Sequence, residues 1–234
     1  MQNKKILAII PARGGSKRIP RKNIKDFLGK PIIAYSIETA LKSGLFDEVM
    51  VSTDDQEIAE VAKKYGAKVP FLRSEKNSDD HSSTADVIEE VLNEYQKKSK
   101  NFDVFCCIYP TAPFINEDTL KKCYELMEKG KYDSVFPIVK FSYPIQRGLK
   151  MTGSKVEMIW PENYNKRSQD IESAYHDSGQ FYWLRTDKFL QEKKVYLDNS
   201  GAIVLDNLMV QDIDNLEDWK MAEFKYQFID QNKK

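Results

Sequence analysis

Residues 11–23 read PARGGSKRIPRKN: two adjacent glycines, Gly14 and Gly15, among five cationic side chains, Arg13, Lys17, Arg18, Arg21 and Lys22. The stretch follows KILAII (residues 5–10), an apolar run long enough for one buried strand and too short to span a membrane. Pro11 closes the run. The glycines are expected at φ > 0, so that successive backbone N–H groups converge on phosphate oxygens while the cations neutralise them. A loop of this kind suits a polyphosphate. Neither G-x-x-x-x-G-K-[ST] nor G-x-G-x-x-G can be laid on it, and on spacing alone a solvated basic surface loop also fits.

Outward from the loop, strand and helix patterns alternate. Gly29-Lys30-Pro31 is a turn with proline at helix position N1, and Ile32, Ile33, Ile37, Ala40 and Leu41 recur at helical spacing until Gly44. Val49, Met50 and Val51 predict a second strand running into Ser52-Thr53-Asp54-Asp55, then a short amphipathic helix ending at Gly66. Residues 68–72 predict a third strand. The polar loop RSEKNSDDHS (73–82) leads to Ser83-Thr84-Ala85-Asp86, which has the form of a helix N-cap with a carboxylate at N3. FDVFCCIY (102–109) is the most apolar strand, as for the middle of a parallel sheet, and it stops at Pro110-Thr111-Ala112-Pro113. Residues 116–129 read as a helix, and SVFPIV (134–139) as a strand that Pro137 weakens. The sheet resumes at 179–184 and 202–205, and VQDID (210–214) precedes a last helix carrying Leu216, Trp219 and Phe224.

The 234 residues suit one α/β domain with an excursion. That excursion is residues 140–175, where the pattern breaks into tyrosines, prolines and charges. About thirty irregular residues inside a compact domain signal a functional segment, and exposed aromatics there would make it an interface. A flexible insert is the alternative, although the prolines argue against a Gly/Ser linker. With 36 residues of each sign the formal net charge is zero, which gives no support to a general nucleic-acid or membrane-surface role. Cys106, Cys107 and Cys123 form neither a disulfide framework nor C-x-x-C spacing and suit a reducing cytoplasm; Cys106 and Cys107 read as core residues, and Cys123 lies alone on a helix. The first residues lack the apolar length of a signal peptide, and no stretch approaches a membrane helix. His81 and His176 read first as solvated, with His176 the better candidate for contacting a ligand.

Strands alternating with helices make a mostly parallel sheet whose ligands bind beyond the carboxyl ends of the strands. The loops at 11–23, 52–55, 73–84 and 110–113 then gather at one edge. Asp212 and Asp214, flanking Ile213, point to the same side of an extended segment, as two hard oxygen ligands for Mg²⁺ would. Asp214 equally fits a helix N-terminal cap.

IPARGGSKRIPRKN, VSTDD, FLRSEKNSDDHSSTADV, a strand ending in PTAPF, and QDID together resemble the CMP-sialic acid synthetase family of cytidylyltransferases along nearly the whole chain. Within that family, YPIQR, PENYNKRSQD and YHDSGQFYW are most similar to the branch that activates pseudaminic acid, a nonulosonic (nine-carbon 2-keto) sugar acid. The resemblance implies a three-layer α/β/α Rossmann-like nucleotidyltransferase fold, one domain over 1–234 with 140–175 as a dimerisation and sugar-site insertion. It implies a cytoplasmic homodimer that takes CTP and the sugar acid, with Mg²⁺ as cofactor and the anomeric hydroxyl attacking the α-phosphorus. Arg13 and Lys22 are then catalytic, neutralising the triphosphate as charge shifts to the leaving group. Gly14, Gly15, Ser16 and Lys17 hold the β- and γ-phosphates, and Ala12 belongs to the same nucleotide-binding set. Asn23, Arg73, Ser82 and Thr84 fall where the family reads cytosine and ribose. Asp212 and Asp214 match the paired metal carboxylates, Arg167 matches an arginine entering the partner's sugar site, and Tyr182 matches a sugar-contacting tyrosine. His176 and Gln180 join the sugar site.

The chain also departs from the family. Arg18 stands where many members carry glycine, and Tyr109 where sialic acid enzymes carry glutamine. Gln146 aligns with a basic, sugar-contacting residue, for which Arg147 is the neighbouring substitute. A sialic, legionaminic or octulosonic acid substrate remains open, as does a non-catalytic nucleotide-sensing module, against which the aspartate pair argues.

Overall fold

The apolar run before the basic loop forms β1 (Ile6–Pro11), buried through residue 10. The computed structural model describes residues 4–79 and 82–232; His81 lies outside them. Two-residue strands β2 (Asp26–Phe27) and β3 (Lys30–Pro31) lead into α1 (Ile32–Ser43), and β4 (Glu48–Ser52), α2 (Gln56–Lys64), α3 (Thr84–Lys97), β5 (Val104–Ile108), α4 (Glu117–Gly130) and β6 (Ser134–Lys140) continue the alternation. A separate hairpin, β7 (Leu149–Thr152) and β8 (Lys155–Met158), precedes β9 (Tyr175–Asp177), β10 (Phe181–Arg185), α5 (Thr186–Glu192), β11 (Ser200–Leu205) and α6 (Leu216–Gln231).

The central sheet runs β11-β6-β10-β5-β1-β4, with β9 also beside β6. Alternate residues of each strand feed opposite layers. Ala8, Ile10, Cys106 and Ile108 pack with α1, α2 and α4, while Leu7, Ile9, Phe105 and Cys107 pack with α3 and α5, so the fold is three-layered α/β/α. A third cluster joins Phe27, Ile32 and Tyr35 to Trp219 and Ala222 of α6. All three cysteines are free and buried.

The pairing of β1 with β4 and β5, and of β6 with β11, is parallel. β10 is antiparallel between β5 and β6, a reversal that periodicity does not reveal. β9 and β10 are one run antiparallel to β6, broken at 178–180, where Gly179 takes φ 65° and the register slips. Pro137 sits at the handover from β10 to β9, which is how β6 tolerates it.

The local signals largely hold. Ser83 caps α3 and forms a capping box with Asp86, and Gly44 takes the left-handed conformation after α1; Asn116, read as the first residue of its helix, is instead the cap of α4. Pro31 is at the cap of α1 and not at N1. Residues 68–72 do not form the expected strand. Lys68 alone bridges Met50, its N–H donating to Val49 O (2.8 Å), and Pro70 then offers no N–H to extend the ladder.

Residues 140–175 are less irregular than expected, because β7 and β8 pair from Leu149↔Met158 to Thr152↔Lys155. Their apolar side chains face outward: Tyr143, Met151 and Tyr164 are 84%, 74% and 71% exposed.

Candidate active site

The basic loop leaves the carboxyl end of β1 and is tied to the end of β4. Ala12 N–H donates to Ser52 O (2.8 Å) and Gly14 N–H to Asp54 Oδ1 (2.9 Å). Arg21 grips Asp55 through both guanidinium nitrogens (2.5 and 2.9 Å) and also meets Glu57. Asp55 in turn caps α2 by accepting from Ile58 N–H (3.0 Å), and the Arg21 bond holds its carboxyl down to about 2. The glycines act otherwise than expected, since neither Gly14 nor Gly15 is among the residues at positive φ. The left-handed residue of the loop is Arg21 (φ 55°). Gly14 is required for space, because a Cβ there would lie 2.8 Å from Asp55 Oδ2 and 3.0 Å from Asp55 Cβ. Around Gly15 there is room.

Under this loop lies a cleft of about 430 Å³, a size that suits a nucleotide. Arg13, Ser16, Lys17, Lys22 and Asn23 line one side, and Arg73, Ser82, Thr84 and Tyr109 also reach it. Arg13 Nη1 donates to Asp79 O (2.8 Å), and Asn23, buried, donates to Arg13 O (2.9 Å). Arg73 is buried against β4, donating to Ser52 Oγ (3.1 Å) and Ser52 O (2.6 Å), and its burial pulls its pKa down. Ser82 Oγ donates to Asp79 Oδ1 (2.6 Å), and Thr84 Oγ1 lies 3.3 Å from the Tyr109 hydroxyl.

Lys22 Nζ donates to Ile213 O (2.7 Å), between the two aspartates of the 210–214 segment. Burial lowers its pKa, and the charges of Asp214 and Asp212 oppose that shift. The helix-cap reading of Asp214 does not hold. Asn215 caps α6, accepting from Glu217 N–H (2.8 Å) and Asp218 N–H (3.0 Å), while the Asp214 carboxylate meets Arg18 (2.7 Å). Among the described residues no three or more His, Cys, Asp or Glu gather as a metal cage. A two-carboxylate set still fits Mg²⁺, which keeps waters and takes further oxygens from substrate phosphates.

A second chamber, about 620 Å³, shares Tyr109 with the cleft and is lined by His176, Tyr182 and Asp212. The His176 ring packs on Phe141 at 4.8 Å. Sequence reading passed over Asp177, Ser178, Tyr196 and Lys225, which line it too. Asp177 accepts from the Tyr182 phenol, from the Tyr196 phenol (2.5 Å) and from Gly179 N–H (2.9 Å). Burial, with the bond to Asp177, keeps both phenols protonated far above their usual range. Four expected sugar-site residues line neither cavity. Gln180 Nε2 ties β10 to Met209 O (2.6 Å), Gln146 Nε2 donates to Glu172 O (3.1 Å), Arg147 to Ser168 Oγ (3.3 Å), and Arg167 pairs with Asp170 (2.7 Å).

With this geometry in place, comparison with known proteins is specific. The profile of a family described as Cytidylyltransferase matches residues 7–226. The chain belongs to the cytidylyltransferase family. Its relatives there include a pseudaminic acid cytidylyltransferase of Campylobacter jejuni, 47% identical over 223 residues, 95% of this chain and 96% of that one. A CMP-N,N'-diacetyllegionaminic acid synthase of Legionella pneumophila is 34% identical over 94% of this chain and 95% of that one. A solved CMP:2-keto-3-deoxy-manno-octonic acid synthetase complexed with CTP matches with a TM-score of 0.67 over 97% of this chain and 99% of that one; at 18% identity it speaks for the fold of the family. Of the residues passed over, Asp177 had a signal in sequence, its place inside YHDSGQFYW; Lys225, in the middle of a helix, had none.

Proposed function

We propose that this enzyme transfers CMP from CTP to the anomeric hydroxyl of a nonulosonic acid, foremost pseudaminic acid, giving the CMP-sugar and pyrophosphate for bacterial surface or flagellin glycosylation. The observation that carries the reading is the pair of cavities that share Tyr109, one rimmed by Arg13, Lys17 and Lys22 and the other by phenols and two carboxylates. The relatives' activities and the 47% identity support the substrate class.

In this reading the hydroxyl oxygen bonds to the α-phosphorus and gives up its proton to solvent, the bond to the bridging oxygen breaks, and pyrophosphate leaves with its electron pair. Arg13 and Lys22 neutralise the charge that moves to the leaving group, and Lys22 is held for this by Ile213 O. Loop amides and Lys17 bind the terminal phosphates, while Asn23, Arg73, Ser82 and Thr84 take the nucleoside. Asp212 and Asp214 would hold Mg²⁺, which would supply Lewis acidity to the phosphate oxygens and the attacking hydroxyl. The outward apolar side chains of 140–175 support a homodimer in which Arg167 serves the neighbouring sugar site. Sedimentation checks this: a monomer at assay concentration would overturn it.

The test of the function is pyrophosphate release by purified protein from CTP and Mg²⁺ with a panel of sugar acids. Pseudaminic acid should react fastest. Faster release with legionaminic, sialic or octulosonic acid moves the substrate within the class, and CTP binding without release from any acid leaves a nucleotide-sensing module.

A further inference from the structure

Lys225, on α6, lines the second chamber together with Tyr109, Asp177 and Tyr182. Its ammonium donates to Val210 O (2.7 Å) and Asn207 O (3.2 Å), which leaves one of three donors to spend. Among the described residues no carboxylate forms an ion pair with it. Burial lowers its pKa. The chamber's carboxylates are Asp177 and Asp212, and neither pairs with Lys225; Asp177 is met instead by two phenols and a backbone N–H. A half-buried cation without a counter-ion, facing a cavity, favours an anion entering that cavity.

We propose that Lys225 binds the carboxylate of the sugar acid, so that each chain supplies this contact from its own last helix and does not depend for it on a partner's arginine. The inference rests on the reading that the second chamber takes the sugar acid. A purely structural role, tying α6 to the 207–209 turn, is the competing account, and the two differ in what the neutralised substrate does.

The experiment compares pseudaminic acid with its methyl ester in the full chain, as wild type, Lys225→Met and Lys225→Arg. Lys225→Met keeps the aliphatic stem and loses the charge; Lys225→Arg keeps the charge should the first variant fold poorly. Wild type and Lys225→Arg should prefer the acid to the ester, and in Lys225→Met most of that preference should vanish, with the KM for the acid rising about tenfold and that for CTP unchanged. A lowered melting temperature with the preference intact would make Lys225 a structural tie and overturn the proposal. So would loss of the preference in Arg167→Ala but not in Lys225→Met. Calorimetric binding of the acid and ester separates this from failure of the transfer reading. If no pyrophosphate is released, yet the acid binds more tightly than the ester only when residue 225 is cationic, the transfer reading falls and the Lys225 assignment stands. Equal binding of acid and ester by wild type overturns it.

Discussion

The basic cleft draws its walls from the loop after β1, the polar loop from Arg73 into the start of α3, and the end of β5, each a contiguous stretch, whereas the second chamber is assembled from scattered positions. Tyr109 comes from the end of β5, Asp177 and Tyr182 from the broken β9–β10 run, Tyr196 from the connection before β11, and Lys225 from α6. Phosphate chemistry needs many amides and cations close together, which one loop can carry. Reading a sugar needs single groups on several sides, which only the tertiary fold brings together. The two cavities should therefore respond differently to substitution, the first through turnover and nucleotide, the second through KM for the sugar acid.

Lys22→Met should give the largest effect, a fall in turnover of about 10² to 10³, because preorganised charge at a phosphoryl centre is worth several kcal/mol. The KM for the sugar acid should hardly move. Unchanged turnover in steady-state assays would take the loop out of the mechanism and erase the difference between the cavities. Next come Asp212→Asn and Asp214→Asn, each expected to shift the Mg²⁺ activation curve to higher concentration. If one variant keeps the normal curve and rate, that residue is no metal ligand. For Asp214 the Arg18 pair would then be its whole role.

A finer comparison lies inside the loop itself. Gly14→Ala pushes a Cβ against Asp55, the residue that holds Arg21 and caps α2, and should cost about 1–3 kcal/mol as overpacking does. Gly15→Ala meets open space and should stay within about 0.5 kcal/mol of wild type. Urea unfolding and CTP titration of the two variants check this. Equal losses would mean that backbone freedom, and not space beside Asp55, is what the glycines supply.

What could be read in the sequence was what is local. The cap at Ser83 with Asp86, the stop at Gly44 and the burial of 104–108 all follow from neighbouring residues. The basic loop and the polar ends of the strands were legible for the same reason. The direction of β10 was not, because an apolar strand carries no mark of which neighbours it will pair with. Residues 68–72 show the converse: β-branched and aromatic residues suggest a strand, but Pro70 removes the donor that would extend the ladder. Lys225 was invisible, since a lysine on an amphipathic helix reads as solvated until the fold closes a chamber over it. Arg21 was read as one more cation of the loop, and its left-handed backbone and hold on Asp55 appear only once β4 lies alongside.

The smallest expected effect concerns what holds each region in place. The chamber is framed by packed rings, with Tyr109 and Tyr182 at 5.5 Å, Tyr182 and Tyr196 at 5.8 Å, and Phe136 and Tyr196 at 4.9 Å, contacts that do not depend on pH. The loop over the cleft is held by Arg21 and Asp55, an ion pair that acid releases. Asp55 has a folded pKa near 2 against an ordinary 3.8, so its contribution is fully present above about pH 4 and is lost as pH falls toward 2. Asp55→Asn keeps the cap of α2, since asparagine caps as well as aspartate, and removes only the charge. At pH 7 the variant should be less stable than wild type by about 0.5 to 1 kcal/mol, the scale of a partly exposed pair, and by pH 3 the gap should have begun to close. Urea midpoints at both values measure it. A gap that stays constant between pH 7 and pH 3 would show that the carboxylate's geometry, and not its charge, fastens the loop, and the contrast between an electrostatic cleft and a packed chamber would lose its physical basis.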